Sequence, residues 1–305
     1  MNQQIAISCI VCTYNRERYI ADAIESLMQQ TLTPSLYEVI IVDNNSKDNT
    51  ANICSKLLEK YGSTRHLKYV VETNQGLSFA RNRGIAESSG SLICYIDDDA
   101  IAKPDFLKNI TDFFAENKTA VGIGGKIIPK YVHGEPDWMS HYMEGLVSKV
   151  DNGEKVFQYD GKKFPIGCNM TYKKEALVEI GMFDTDLGRK GDSGEASEEK
   201  DVFLKLLSKG YKVFYLPNVV VEHVIENTRL EYNYIKKISA GIGRSEHLRT
   251  AKKGTFATWK KFGELIFKFG AAVILASYHL LRLEPAKSKA LIQFRINVFR
   301  GWFSV

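Results

Sequence analysis

The chain lacks most of the signatures that assign a function at sight. It has no glycine-rich phosphate loop of the G-x-x-x-x-G-K-[ST] or G-x-G-x-x-G kind, which takes most of the weight from kinase and dehydrogenase readings. It opens without a basic segment leading into an apolar one, so secretion is not expected. Cysteine is sparse: Cys9, Cys12, Cys54, Cys94 and Cys168 make an odd five with no second C-x-x-C pair. Cys9 and Cys12 lie in an apolar strand pattern that sends them to opposite faces, so they suit neither a zinc site nor a redox pair. Buried, reduced thiols of a cytoplasmic protein are expected instead. No nucleic-acid-binding module is recognisable. What is present is 305 residues with 44% hydrophobic content, enough for one large core or two modest domains.

Strand and helix patterns alternate through the first hundred residues. Strands are expected at 5–12, 37–42, 68–71 and 92–96, and helices at 19–30, 51–61 and 77–87. Such alternation implies βαβ units, an α/β fold and a mostly parallel central sheet flanked by helices. Ligands of these sheets bind beyond the carboxyl ends of the strands. The residues there are Thr13-Tyr14-Asn15-Arg16, Asp43-Asn44-Asn45-Ser46, Asn74-Gln75-Gly76 and Asp97-Asp98-Asp99. Together they offer an aromatic face, a hydrogen-bonding carboxylate and a cluster of hard oxygen ligands, a set suited to a nucleotide base, ribose and diphosphate.

The acidic triplet is the centre of this arrangement. Three adjacent carboxylates repel one another and call for a cation or donors nearby, and oxygen ligands suit Mg²⁺ or Mn²⁺ shared with a substrate's phosphates. Strand alternation would turn Asp97 and Asp99 one way and Asp98 the other. A solvated acidic loop capping the next helix is the simpler alternative.

Val11-Cys12-Thr13-Tyr14-Asn15-Arg16, Val42-Asp43-Asn44-Asn45-Ser46, Asn74-Gln75-Gly76 with Ala80-Arg81-Asn82-Arg83-Gly84, and Ile96 to Asp99 resemble the ordered motifs of family 2 glycosyltransferases of the GT-A fold. With later motifs the resemblance runs over residues 5–223. It implies a GT-A-like (Rossmann-like) fold and inverting transfer from a nucleotide diphosphate sugar, often uridine-based, with a divalent metal. By matching position it puts the Thr13-Tyr14-Asn15-Arg16 segment, Asn74 and Gly76 on the donor side. It also gives Asp43 the base edge, Arg81 the diphosphate side, Asp97 with Asp98 the ribose side, and Asp99 the metal.

The second half supplies what an acceptor and the chemistry need. A helix is expected at 104–117 and a strand at 120–129, where Gly122, Gly124 and Gly125 permit close backbone approach. Residues 131–164 form a long connection with Trp138, His141, Tyr142 and Met143, read either as a binding loop or as buried aromatics. Gly167 and Asn169 resemble the family's small-residue segment on the acceptor side. Further on, Glu195, Glu198, Glu199 and Asp201 crowd four carboxylates into seven residues at a helix start. Ser197 and the helix dipole account for part of that cluster. An inverting transfer also needs a base for the acceptor's proton. The cluster resembles the family's Glu-Asp motif, with Glu199 where Asp is usual, so the base is Glu199 or Glu198, Glu199 being preferred, with Asp201 toward the acceptor. A short strand at 219–221 leads to His223, which the resemblance places near the metal or diphosphate.

From Arg229 the balance of charge changes. Residues 229–305 carry 15 Lys and Arg against 4 Asp and Glu, about +11, while the remainder carries 26 against 32, about −6. A basic tail suits an anionic surface. Phe262, Leu265, Ile266, Phe269, Val273, Ala276 and Leu280 fall at helical spacing among lysines, the pattern of a helix lying in a membrane interface; packing on the catalytic domain is the alternative. Glu264 and Lys268 argue against a span.

The expected organisation is therefore a nucleotide-sugar-binding half (1–100), an acceptor-binding and catalytic half of the same domain (101–228), and a basic helical tail (229–305). The expected activity is inverting transfer of a sugar, UDP-linked by preference, to a glycan or lipid-linked acceptor in cell-surface polysaccharide synthesis. The setting would be cytoplasmic or peripheral on the inner face of the cell membrane. Two other classes stay open: a metal-dependent sugar nucleotidyltransferase, and a non-catalytic nucleotide- or glycan-binding module.

Overall fold

The computed structural model describes residues 4–62, 65–189 and 197–305. In chain order its first elements are β1 (Ile7–Thr13), α1 (Ile20–Met28), β2 (Tyr37–Asp43), α2 (Thr50–Tyr61), β3 (Leu67–Val71), α3 (Leu77–Glu87), β4 (Leu92–Tyr95), β5 (Ala100–Ala102), α4 (Phe106–Glu116) and β6 (Ala120–Tyr131). Then come β7 (Phe157–Gln158), β8 (Met170–Lys173), α5 (Lys174–Glu179), α6 (Glu198–Ser208) and β9 (Lys212–Ile225). The chain finishes with α7 (Asn227–Leu230), α8 (Tyr232–Ala251), α9 (Thr255–Leu281) and α10 (Pro285–Trp302).

The described residues fall into two compact units. The first contains Met1–Lys130, Val150–Asp186 and Glu198–Val224; the second contains Tyr131–Lys149, Leu187–Ser197 and Ile225–Val305.

The first unit is built on one sheet of order β3-β2-β1-β4-β8-β6-β9-β5, with β7 beside β9. The strands β3, β2, β1 and β4 pair in parallel, as the βαβ pattern requires. β8 pairs antiparallel with β4 and β6, and β9 pairs antiparallel with β5 and β7. Every residue of β2 is buried, as a central strand covered on both faces must be. Alternation along β1 sends Ile7, Cys9 and Val11 to one core cluster and Ile10, with the half-buried Cys12, to the other. The two cysteines thus do face apart, and none of the five cysteines is in a disulfide.

At the edge opposite the polar strand ends, the buried Glu38 carboxylate ties several elements together. It accepts from Ser8 Oγ at 2.7 Å and from the Ser89 N–H at 2.5 Å, and pairs with Lys68 Nζ at 2.7 Å. Burial alone would raise its pKa, but these donors outweigh that and hold it below the ordinary value.

Some boundaries differ from the sequence reading. β9 runs through fourteen residues rather than three, because its partners β5 and β7 supply pairing that local pattern does not reveal. β5 and β8 are too short, at three and four residues, to carry a period of their own.

The second unit has its own core. Met139, Met143 and Val147 from the segment Tyr131–Lys149 are buried with Leu265 and Ala272 of α9 and Leu291, Phe294, Val298 and Trp302 from α10. The long connection is thus largely packing material here: Met143 is buried and Trp138 packs against the cluster, while His141 and Tyr142 are exposed. Helices α8 and α10 cross at contact distance, since a Cβ on Gly301 would stand 1.8 Å from the Ala240 carbonyl oxygen and one on Gly243 would stand 2.0 Å from that of Val298.

Candidate active site

The carboxyl ends of β1 and β2 are laced together by side-chain to backbone bonds. Asn15 adopts the left-handed conformation (φ 54°), which Asn tolerates, and this lets its N–H reach Ser46 Oγ at 3.0 Å while its Oδ1 accepts from the Lys47 N–H at 2.7 Å. The Arg16 N–H donates to Thr50 Oγ1 at 3.0 Å. Asp43 is buried and accepts from the Ser46 N–H at 2.8 Å and the Tyr69 hydroxyl at 2.7 Å. Thr13 is buried, and Tyr14 beside it is half-buried.

Asn44, given no role of its own in the sequence reading beyond membership of the second strand-end cluster, holds the third strand end. Its Nδ2 donates to the Glu72 and Asn74 carbonyls at 3.0 and 2.7 Å, and its Oδ1 accepts from the Gly76 N–H at 2.7 Å. Gly76 takes φ 148° there, a conformation disfavoured for residues with a Cβ. Asn74 itself is exposed.

The acidic triplet lies in a turn rather than on a strand. β4 stops at Tyr95, so the expected alternation fails: Asp98 and Asp99 both meet Arg16, at 3.4 and 3.6 Å. On the other side Asp99 Oδ1 stands 3.1 Å from His223 Nε2, where β5 and β9 pair Ala100 with His223. Asp97, Cys168 and His223 each bring one ligand atom within 4.8 Å of the others. Burial pushes the Asp98 carboxyl up to about 7, with Arg16 opposing and Asp99 adding to the rise. The Asp97 carboxyl is likewise raised, by burial and then by Asp99. Carboxylates that raise one another's proton affinity beside a buried imidazole form a donor set that fits a divalent cation. Cys168 was expected as a buried thiol within the segment that resembles the acceptor-side motif; its place beside Asp97 and His223 is a contact that the sequence does not encode.

A second constellation surrounds Arg81. Its side chain is 3% exposed, and the guanidinium forks between two carboxylates, Nη1 to Glu198 Oε1 and Nη2 to Glu199 Oε1, both at 2.8 Å. The group lies 5.2 Å from the Phe183 ring centroid and 5.8 Å from that of Tyr95. Asn82 fixes Phe183 by exchanging two bonds with its backbone, at 2.9 and 3.0 Å. Burial opposes the charge on Arg81, but Glu199 and Glu198 outweigh it and keep the guanidinium cationic. Glu198 is buried, whereas the Glu199 side chain is 21% exposed.

Gly167 closes this pair from the side. A Cβ on it would stand 2.0 Å from Glu199 Oε1 and 2.2 Å from Arg81 Nη2. Its neighbour Asn169 is buried and donates to the Lys126 and Val219 carbonyls at 3.0 and 2.9 Å, tying β6 to β9. Asp201, one turn into α6, pairs with Lys205 at 2.8 Å. Glu195 lies outside the described residues.

The structure therefore brings Arg16, Asp98, Asp99 and His223 into one chain of contacts, and Arg81, Gly167, Glu198 and Glu199 into another. Asn169 and Asp201 are engaged in local ties of their own.

Comparison with known proteins agrees with this architecture. The model of "Glycosyl transferase family 2" matches residues 8–181. Among curated proteins, a glucosyl-dolichyl phosphate glucuronosyltransferase of Haloferax volcanii is 29% identical over 75% of this chain and 72% of its own length. A dolichyl N-acetylglucosaminyl phosphate diacetamido-dideoxy-glucuronosyltransferase of Methanococcus voltae is 25% identical over 89% of this chain and 80% of its own. Among solved structures, a mannosyltransferase from Pyrobaculum calidifontis in complex with GDP-Man and Mn²⁺ has a TM-score of 0.66 at 18% identity, covering 97% of this chain and 86% of that one. That likeness shows the GT-A fold.

Proposed function

We propose that this chain, which belongs to glycosyl transferase family 2, transfers a sugar with inversion from a nucleotide diphosphate donor to a lipid-linked or glycan acceptor during synthesis of a cell-surface glycan. Two of its relatives are named for transfer onto dolichyl phosphate-linked sugars, which supports the lipid-linked class of acceptor. In this reading the loops laced by Asn15, Asp43 and Asn44 receive the nucleoside, and Arg16 faces the diphosphate side of the acidic turn. Asp99 and His223, with Asp97 beside them, would hold a divalent cation, Mn²⁺ or Mg²⁺. When bound, that cation neutralises diphosphate charge and favours its departure.

The observation that carries the reading is the forked pairing of Arg81 with two carboxylates at the start of α6. The acceptor hydroxyl attacks the anomeric carbon, the sugar–phosphate bond breaks with its electron pair going to the nucleoside diphosphate, and a carboxylate takes the hydroxyl proton. Glu199 suits that task better than Glu198. It is the more exposed of the two, and its Oε1 bond to Arg81 directs the carboxylate. Glu198, buried on Nη1, anchors the guanidinium.

The test is to incubate the purified chain with nucleotide sugars, Mn²⁺ and a soluble analogue of a lipid-linked sugar, and to measure free nucleoside diphosphate and product. Glu199→Gln keeps size but cannot take the proton, so turnover should fall by about 10²–10⁴-fold with donor affinity little changed. Loss with Glu198→Gln alone would move the base by one residue, and release of inorganic diphosphate in a parallel reaction given a nucleoside triphosphate and a sugar 1-phosphate, with no nucleoside diphosphate released from nucleotide sugars, would indicate nucleotidyl transfer instead.

A further inference from the structure

Helix α9 has two apolar faces, and only one of them is used. On the inner face Leu265, Ala272 and Ala276 are buried, and the Phe262 ring lies 6.0 Å from those of both Phe299 and Trp302 of α10. The polar groups on that side have partners: Lys261 lies 3.0 Å from Glu246 and 2.9 Å from Glu264, and His279 lies 2.8 Å from Glu284. This corrects the sequence expectation, in which Phe262, Leu265, Phe269 and Ala276 belonged to the lipid-facing stripe; the hydrophobic period is real, but α10 already covers that side.

The outer face is a separate stripe. Phe256, Trp259, Phe267, Ile274 and Leu281 are 84%, 67%, 75%, 73% and 85% exposed, and Ile266 and Val273 between them are also exposed. At 100° per residue these positions stay on one side of a 27-residue helix, a strip about 40 Å long by the usual rise per residue. Single exposed apolar side chains are ordinary, but a continuous strip of this kind marks a surface that something covers.

We propose that this outer face lies in the head-group layer of an anionic membrane, with the helix axis along the surface. The charge around it fits that occupant. Residues 252–282 carry six Lys and Arg against one acid, Glu264, which is already bridged by Lys261 at 2.9 Å and Lys268 at 2.5 Å. Lys260 and Arg282 are exposed beside the stripe and Lys253 is exposed just before the helix begins, while the exposed aromatics Trp259 and Tyr278 stand toward its opposite ends. Basic margins and interfacial aromatics around an apolar strip are the composition that binds anionic lipid.

The same charges disfavour a second copy, whose matching face would set Lys260 and Arg282 against like charges. Crossing the bilayer would strip the inner face from α10 and carry Lys261, Glu264 and Lys268 into hydrocarbon.

Flotation of the full chain tests this without any donor sugar, so its outcome is separate from that of the sugar-transfer reading. Vesicles of phosphatidylglycerol mixed with phosphatidylcholine should carry the protein at least about tenfold better than phosphatidylcholine alone, less so at high salt. Binding should blue-shift the tryptophan emission, and Trp259→Phe should remove most of that shift. Phe267→Glu with Ile274→Glu, both at exposed positions, should abolish flotation while circular dichroism and turnover on a soluble acceptor stay unchanged.

Three results would overturn the proposal. The first is flotation unaffected by the double substitution. The second is failure to float on either vesicle, with concentration-dependent dimers that the same substitutions dissolve. The third is vesicle-bound protein that resists alkaline carbonate extraction, as a spanning helix would.

Discussion

At the scale of single residues, Gly167 controls more of the site than its lack of a side chain suggests. The space a methyl would occupy is filled by Glu199 Oε1 and Arg81 Nη2, so Gly167→Ala must push the two apart. A displacement near 1 Å at a catalytic group costs on the order of 10²-fold in rate, and that loss is the expected result, read as a fall in kcat with an unchanged circular dichroism spectrum. Asp99→Asn keeps the shape of the turn but removes the charge facing His223 and Arg16. Calorimetry with a nucleoside diphosphate should show the Mn²⁺-dependent part of the affinity lost, and unchanged metal-dependent affinity would take Asp99 out of the metal set. The acidic clusters stood out in the sequence as runs and neighbours: three consecutive acids, or two at a helix start. The contacts of Asn44 and Cys168 did not, because they are made with distant backbone and side chains, and no local pattern encodes that.

At the scale of elements, the parallel βαβ part was readable because apolar strand runs and helix-length segments alternate there between turn-like stretches, so that even the four-residue β4 stands out as an apolar run after Ser88-Ser89-Gly90-Ser91. The short strands β5 and β8, and most of β9, depend on partners remote in sequence and were missed or cut short. Glu38 shows the same limit: an acid inside an apolar strand pattern carries no sign that Ser8, Lys68 and the Ser89 N–H converge on it. Glu38→Gln should lower the stability of the first unit by about 2 kcal/mol at neutral pH, since it weakens several charge-assisted bonds at once. The sign of the pH dependence follows from the depressed pKa. Charge on native Glu38 stabilises fully above its ordinary value of 4.5 and is lost as pH falls through the lower native value. The gap between wild type and variant in urea titrations should therefore close as the pH drops below about 4.5.

For the whole molecule, composition suggested a nearly continuous domain followed by a basic tail. It does not reveal that Tyr131–Lys149 groups with the C-terminal helices, because grouping is a property of contacts rather than of composition. The second unit depends on the close crossing of α8 and α10. Gly301→Ala would drive a methyl toward the Ala240 carbonyl, and overpacking of that kind costs roughly 1–3 kcal/mol, to be measured by chemical denaturation. A way of seeing that loss separately from the rest is already present. Trp138, Trp259 and Trp302 all lie in the second unit, and Cys9, Cys12, Cys54, Cys94 and Cys168 all lie in the first. Burial pushes the Cys12 and Cys54 thiols up to about 12 and Cys9 well upward too, so these groups react slowly until the sheet opens. The unaltered chain thus carries two independent clocks, emission for the helices and alkylation for the sheet. A denaturant jump followed by both would reveal whether the two units come apart together or in turn, without a single engineered label.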